Sequence, residues 1–117
     1  MNLFFRFSFF TALTAITALA FLPDYSGLPP IVCVSDLMNH ALAFMVLYLL
    51  YTLSFCHSVK QKLGIFFLYA VAIEAVQYLL PTRCASFEDI AADSVGILVA
   101  YFISVNLPLF RRFGPCR

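Results

Sequence analysis

Four apolar runs separated by short polar segments dominate the pattern of this chain. They cover residues 3–22, 37–56, 63–80 and 90–107. A helix rises about 1.5 Å per residue, so about twenty apolar residues cross a hydrocarbon core of ~30 Å. The pattern therefore predicts an all-α fold, a polytopic four-transmembrane-helix bundle with short loops, organised as a single transmembrane domain over residues 1–117.

Turn-forming residues place the predicted connections. Three breaker pairs (Pro23-Asp24, Ser26-Gly27 and Pro29-Pro30) predict a loop over residues 23–35, with Ser35 or Asp36 as the N-cap of the second helix. The polar residues 57–62 predict a tight connection between the second and third spans. Prolines at positions 81 and 108 end the last two runs, because proline interrupts a helix.

The first run has two interpretations. Ala18-Leu19-Ala20 fits the small-residue cleavage site of a secretory signal peptide, whereas Arg6 could anchor a retained span. We expect the retained helix, because phenylalanines crowd the start of the run and three further spans leave no soluble domain to export.

Composition supports the membrane assignment. Hydrophobic residues make up 63% of the chain and charged residues 11%, whereas soluble domains carry about 25% charged residues. No long basic run or glycine-rich phosphate loop is present, so we expect membrane lipids and no nucleic acid as partners. A chain this short buries its polar helix faces on one another or on a partner chain, which leaves oligomerisation open.

The positive charges predict an orientation. With four spans, all but one of the lysines and arginines fall on one side, and Arg83 falls on the other. The first group is Arg6, Lys60, Lys62, Arg111, Arg112 and Arg117. Lys and Arg favour the cytoplasmic side of short loops. The distribution predicts cytoplasmic N- and C-termini.

Ionisable residues gather near the outer ends of three predicted helices. They share helix faces as Asp36 with His40, Glu74 with Gln77, and Asp89 with Asp93 and Gly96. A carboxylate in hydrocarbon costs roughly 2.5–3.5 kcal/mol on insertion scales, so such residues usually have a partner or a function. We expect these groups to face one pocket, and Gly96 to allow close helix approach.

Simpler roles compete with this hypothesis. Ser86-Phe87-Glu88-Asp89 matches a capping box, and Asp36 could be a plain helix cap. His40 could bond a backbone carbonyl. Capping does not explain Glu74 and Asp93, which lie beyond the first turn; their competing role is a salt bridge to Arg83 or His40.

The charge count narrows the chemistry of the pocket. Acidic residues outnumber the cations Arg83 and His40 in this layer; they are Asp36, Glu74, Glu88, Asp89 and Asp93. Such a cluster must hold protons, bind a cation or accept a positively charged ligand group, because a dry cluster of like charges is unfavourable.

A divalent cation is one option for this cluster. Its candidate ligands are Asp36, His40, Glu74 and Asp93, a donor set suited to Mg²⁺, Mn²⁺ or Zn²⁺. No spacing matches a known metal signature, so the cofactor remains unknown.

The cysteines fall at both ends of the predicted bundle. Cys33 and Cys84 lie outside, where an oxidising compartment would permit a disulfide between them, and Cys56 and Cys116 lie near the inner face. No CxxC redox motif is present.

The polar positions as a set resemble those of the VanZ-like membrane proteins. The resemblance covers residues 36–96 and rests on Asp36-x-x-x-His40 with Ala43-Phe44, Glu74-x-x-Gln77, Pro81-x-Arg83, Ser86-x-x-Asp89 and Gly96. The chain departs from the family at three positions. Leu37 stands where the family usually has Lys, and Asp93 stands where it has Asn. The family also has a second small Gly near the position of Ala100.

The resemblance implies a small helical bundle of the bacterial inner membrane, in a cell-envelope context with lipophilic or lipid-linked ligands. The founding member is associated with resistance to the glycopeptide teicoplanin, and the family's biochemical activity is not established. Resistance is not carried over to this chain.

Three functional hypotheses follow. The leading one is a non-enzymatic envelope protein whose periplasm-facing pocket binds a polar ligand or lipid head group. In this pocket Arg83 would pair with phosphate or carboxylate, and the acids with a cation or amine. The full predicted site is Asp36, His40, Glu74, Gln77, Arg83, Ser86, Asp89 and Asp93.

The second hypothesis is an intramembrane enzyme acting on lipid-linked envelope substrates, with Glu74 as general base or acid and His40 as its partner. The third is proton-coupled transport, because intramembrane acids also serve proton relays.

Overall fold

A computed structural model of the chain describes residues 2–21, 31–79 and 87–114, and it describes side chains over residues 3–21, 37–79 and 87–114. Every regular element in these ranges is helical, which confirms the all-α prediction. The helices are α1 (Asn2–Ala20), α2 (Ile31–Ser54), α3 (Val59–Leu79), α4 (Phe87–Asn106) and α5 (Pro108–Phe113).

Within the described ranges, three helices are long and apolar enough to cross a membrane. Their apolar stretches are Leu3–Ala20, Leu37–Ser54 and Val59–Leu79. The remaining long helix, α4, is 20 residues long and carries Glu88, Asp89 and Asp93 in its first two turns. The structure thus supports a helical membrane protein, and the fourth span stays a prediction.

The start of α2 corrects the predicted loop and cap. The helix begins at Ile31, so Ser35 and Asp36 lie inside its first two turns and neither is its N-cap. The physical reason is that residues 31–34 are apolar and contain no breaker, so a helix can begin directly after the proline pair.

The connection between α2 and α3 is shorter than predicted, because α3 begins at Val59. A reciprocal capping box fixes this start: the Gln61 amide donates to Ser58 Oγ at 3.2 Å, and the Ser58 amide donates to Gln61 Oε1 at 3.0 Å. Lys60 and Lys62 therefore belong to the first turn of α3. The nearby Cys56 is disulfide-bonded, and its partner lies outside the described side chains.

The short helix α5 was not predicted from the sequence. Pro108 occupies its first turn, where the missing amide hydrogen costs nothing. The same proline that ends α4 thus begins α5, and it places Arg111 and Arg112 in the last turn.

Helix α2 lies at the centre of the bundle and packs most extensively against α4, then against α1. An aromatic core joins the helices, with Phe9, Phe44, Tyr48, Tyr51 and Phe66 among its buried members. Helix α1 contacts the bundle near both of its ends. Arg6 Nε donates to the Ser54 carbonyl at 3.2 Å, and Gln77 Nε2 donates to the Ala20 carbonyl at 2.8 Å. Retention of this helix, as opposed to its cleavage as a signal peptide, stays a prediction.

The contact between α2 and α4 is closest at Gly96. A Cβ atom added there would lie 2.1 Å from the Ala41 carbonyl oxygen and 2.9 Å from its carbonyl carbon. Both atoms belong to backbone, so no side-chain rotation could relieve the clash. The expected close helix approach at Gly96 is confirmed.

Gly96→Ala is expected to lower the free energy of unfolding by about 1–3 kcal/mol, the usual cost of overpacking a tight contact. Gly64→Ala is the matched control, because nothing lies within 4 Å of a Cβ at Gly64 and alanine favours the helix. Thermal unfolding of both variants in detergent, followed by circular dichroism, measures the difference. Equal stability of the two variants would contradict the close approach.

Candidate functional site

A buried hydrogen bond joins α2 and α4 at the centre of the predicted site. His40 Nδ1 lies 3.0 Å from Asp93 Oδ1, and the two side chains are 8% and 0% exposed. When Asp93 is ionised, its carboxylate only accepts hydrogen bonds and His40 is the donor through Nδ1–H. This pair is the salt bridge to His40 that was the competing structural role of Asp93, and the ligand-binding role of the two residues stays a prediction.

The close helix approach explains why this pair forms. Ala41 follows His40 directly, and Gly96 lies three residues beyond Asp93, so on the same face of α4. Where the Gly96 backbone meets Ala41, the neighbouring turns of the two helices come within hydrogen-bonding range. A small residue at position 96 therefore positions a polar pair one turn away.

Two further carboxyls are buried towards the same end of the bundle. Asp89 is 2% exposed and Glu74 is 8% exposed, whereas the neighbouring Glu88 is exposed. Asp89 precedes Asp93 by one turn, or about 6 Å. We call His40, Glu74, Asp89 and Asp93 the polar layer.

Gln77 has a different place from the one predicted for it. Its side chain is 1% exposed and donates from Nε2 to the Ala20 carbonyl at 2.8 Å. This carbonyl belongs to the last residue of α1, where no backbone amide of the same helix donates to it. In this structure Gln77 therefore closes the end of α1, and a ligand would have to compete with that bond.

Tyr69 belongs to the site, although it was not predicted. Its hydroxyl is hydrogen-bonded to the Thr17 hydroxyl of α1, and it lies within electrostatic range of Asp93. The helical spacing of residues 69, 73 and 77 could have predicted this position, because it places Tyr69 on the face of α3 that also holds Gln77. Through Tyr69 the polar layer is connected to all four long helices.

The other predicted site residues lie outside the described side chains: Asp36, Arg83 and Ser86, together with Cys33 and Cys84. Helix α4 does begin at Phe87, the residue after Ser86. The assigned roles of these residues in binding, capping and a disulfide stay predictions.

The predicted metal site stays a prediction, because Asp36, one of its four candidate ligands, lies outside the described side chains. Within the described part of the chain, no group of three or more His, Cys, Asp or Glu side chains is arranged to hold a metal ion. His40 and Asp93 supply two donors that are bonded to each other. No step is therefore assigned to a metal.

Comparison with known proteins identifies the family. The family model described as VanZ/LLP1 matches residues 1–111, nearly the whole chain. Searches of curated proteins and of solved structures gave no match. The match extends beyond the residues 36–96 on which the resemblance was based, and it includes α1 and the greater part of α5. The chain therefore belongs to the VanZ/LLP1 family.

Proposed function

We propose that this VanZ/LLP1-family protein binds the positively charged group of an envelope ligand or lipid head group at the polar layer. The observation that carries the proposal is the buried His40–Asp93 hydrogen bond between α2 and α4. Two more buried carboxyls, Glu74 near the end of α3 and Asp89 near the start of α4, lie in the same half of the bundle.

The charge of the polar layer selects the ligand class. Within the described residues it contains three carboxyls and one histidine, so acids exceed cations. A ligand ammonium group would offset this excess through charge-assisted hydrogen bonds, which are stronger than neutral ones. Phosphatidylethanolamine is a lipid of this chemistry, with an amine for the carboxyls and a phosphate for a cation such as Arg83.

The proposed orientation puts the polar layer near the periplasmic face of the bacterial inner membrane, with both termini in the cytoplasm. The disulfide at Cys56 favours the opposite orientation, because disulfides are rare in the cytosol. We give greater weight to the lysines and arginines, because flanking charge sets topology during insertion, before a disulfide forms.

Asp93→Asn is expected to weaken binding of phosphatidylethanolamine by about ten- to one-hundred-fold, because a hydrogen bond to a charged group contributes about 1.5–3 kcal/mol. Lipid retained by purified protein, measured by native mass spectrometry, gives the comparison. Glu88→Gln is the matched control, since it removes the same charge from an exposed position on the same helix.

Glu74→Gln tests the same site without removing either partner of the His40–Asp93 bond, and it should also weaken binding. Thermal unfolding in detergent confirms that each variant is folded. Retention equal to wild type in folded Asp93→Asn and Glu74→Gln would refute the proposal.

A cysteine-labelling experiment tests the orientation. Glu88→Cys and Lys60→Cys place new thiols at exposed positions at opposite ends of the bundle. In intact spheroplasts, a membrane-impermeant maleimide should label Glu88→Cys, and it should label Lys60→Cys only after permeabilisation. Wild-type protein supplies the blank, and the opposite labelling pattern would invert the proposed topology.

The His40–Asp93 bond also favours a second candidate function, general acid–base catalysis on a lipid-linked substrate. A histidine that donates through Nδ1 to a carboxylate keeps its lone pair on Nε2, the atom that would take a proton from a nucleophile. Glu74 is the partner of His40 that the sequence predicts, and the geometry offers Asp93 as the residue that orients it.

If the protein is such an enzyme, purified wild type should release phosphate from a lipid-linked diphosphate, and His40→Gln should reduce kcat by about 100-fold or more. The Glu88→Gln variant should keep full turnover. Absence of turnover by folded wild type, alongside retained lipid binding, would leave the binding function and eliminate this candidate.

A further inference from the structure

A second polar site lies at the end of the bundle opposite the polar layer. A cavity of about 270 Å³ opens between the end of α2, the start of α3, the end of α4 and α5. Its lining includes Thr52, His57, Lys62, Ser104, Phe110 and Arg111. At ~30 Å³ per water molecule it holds roughly nine waters, which is room for a hydrated phosphate group. We call it the basic cavity.

The charged side chains in this part of the sequence are all basic. Residues 37–73 and 94–117 contain no aspartate or glutamate, and neither do residues 1–23. Three basic side chains line the cavity, and the carboxylates that the structure describes, Glu74, Glu88, Asp89 and Asp93, lie towards the other end. The electrostatic potential in the cavity therefore favours an anion.

Lys62 is the central feature of the basic cavity. The residue is 8% exposed, its Nζ donates to Thr52 Oγ1 at 3.3 Å, and it lies 5.3 Å from the centroid of the Tyr48 ring. Both contacts are with neutral groups, and no carboxylate faces Lys62 within the described residues. A buried cation is costly unless an anion pairs with it, so an anion bound in the cavity would stabilise Lys62.

Arg111 and His57 form the exposed part of the cavity wall. Arg111 Nη2 donates to the Val105 carbonyl at 3.4 Å, a long bond that leaves most of its donors for other acceptors. His57 is held in place by a 2.6 Å hydrogen bond between its Nδ1 and the Tyr51 hydroxyl. The buried Phe110 fixes α5 against the bundle and so positions Arg111 at the cavity.

We propose that the basic cavity binds a phosphate-bearing anion, with Lys62 as the buried point charge and Arg111 as the bidentate donor. Lysine and arginine bind phosphate in these two complementary ways. The anionic head group of a phospholipid in the adjacent leaflet and a free phosphate carry the same chemistry. This site is separate from the polar layer and does not depend on the function proposed there.

The experiment compares two neighbouring lysines. Lys62→Met and Lys60→Met remove the same charge two residues apart, but Lys62 lines the cavity and Lys60 is exposed. Each protein is placed in phosphatidylcholine nanodiscs containing phosphatidylglycerol, and the retained phosphatidylglycerol is measured by native mass spectrometry. Lys62→Met should lower its apparent affinity at least tenfold, and Lys60→Met should change it less than twofold.

A second arm separates the two sources of phosphate. In neutral detergent without anionic lipid, inorganic phosphate should raise the melting temperature of wild type more than that of Lys62→Met if the site accepts a free anion. Stabilisation confined to phosphatidylglycerol assigns the site to the lipid head group. Either result supports an anion site at Lys62.

Arg111→Gln provides a second test in case Lys62→Met does not fold. It alters an exposed side chain and should also reduce binding of the phosphate-bearing probe. Equal losses in Lys60→Met and Lys62→Met would show that only diffuse surface charge attracts the lipid. That result, or unchanged binding in folded Lys62→Met and Arg111→Gln, would overturn the proposal.

Discussion

The structure depends on the close approach of α2 and α4, where the Gly96 backbone meets the Ala41 carbonyl. A single glycine brings the two helices close enough for His40 and Asp93 to bond one turn away. In an apolar solvent the alternative to this bond is an unsatisfied polar group, which costs several kcal/mol. The close contact and the polar pair therefore support each other, and Glu74 and Asp89 are buried as well.

Polar chemistry is divided between the two ends of the bundle. The polar layer holds the acids, the basic cavity holds Lys62 and Arg111, and an aromatic core that includes Phe44 and Phe66 lies in the part of the bundle between them. A bilayer with an amine-bearing ligand on one face and phosphate groups on the other would suit this division. The charge asymmetry that predicts the topology thus has a local counterpart in two sites of opposite charge.

The close helix approach at Gly96 could be predicted from the sequence, because the spacing of Asp89, Asp93 and Gly96 places two acids and a small residue on one face of an apolar helix. Other features could not. Which acid pairs with His40 depends on helix rotation, so the sequence leaves both Glu74 and Asp93 open as partners, and the structure shows the bond to Asp93. The Ser58–Gln61 capping box lies in a segment that its polar residues predict to be a connection. The basic cavity could not be predicted, because α5 forms part of its wall and is too short to show helical periodicity in the sequence.

The central claim is that His40 donates through Nδ1 to Asp93 inside the bundle, and ¹⁵N NMR of histidine-labelled protein in detergent tests it most directly. The protein contains two histidines, and the exposed His57 serves as the internal reference. The account predicts that His40 keeps its proton on Nδ1 as pH is raised, and that Asp93→Asn shifts this resonance while that of His57 stays unchanged. A His40 that loses the Nδ1 proton and takes up the Nε2–H form in wild type would contradict the account.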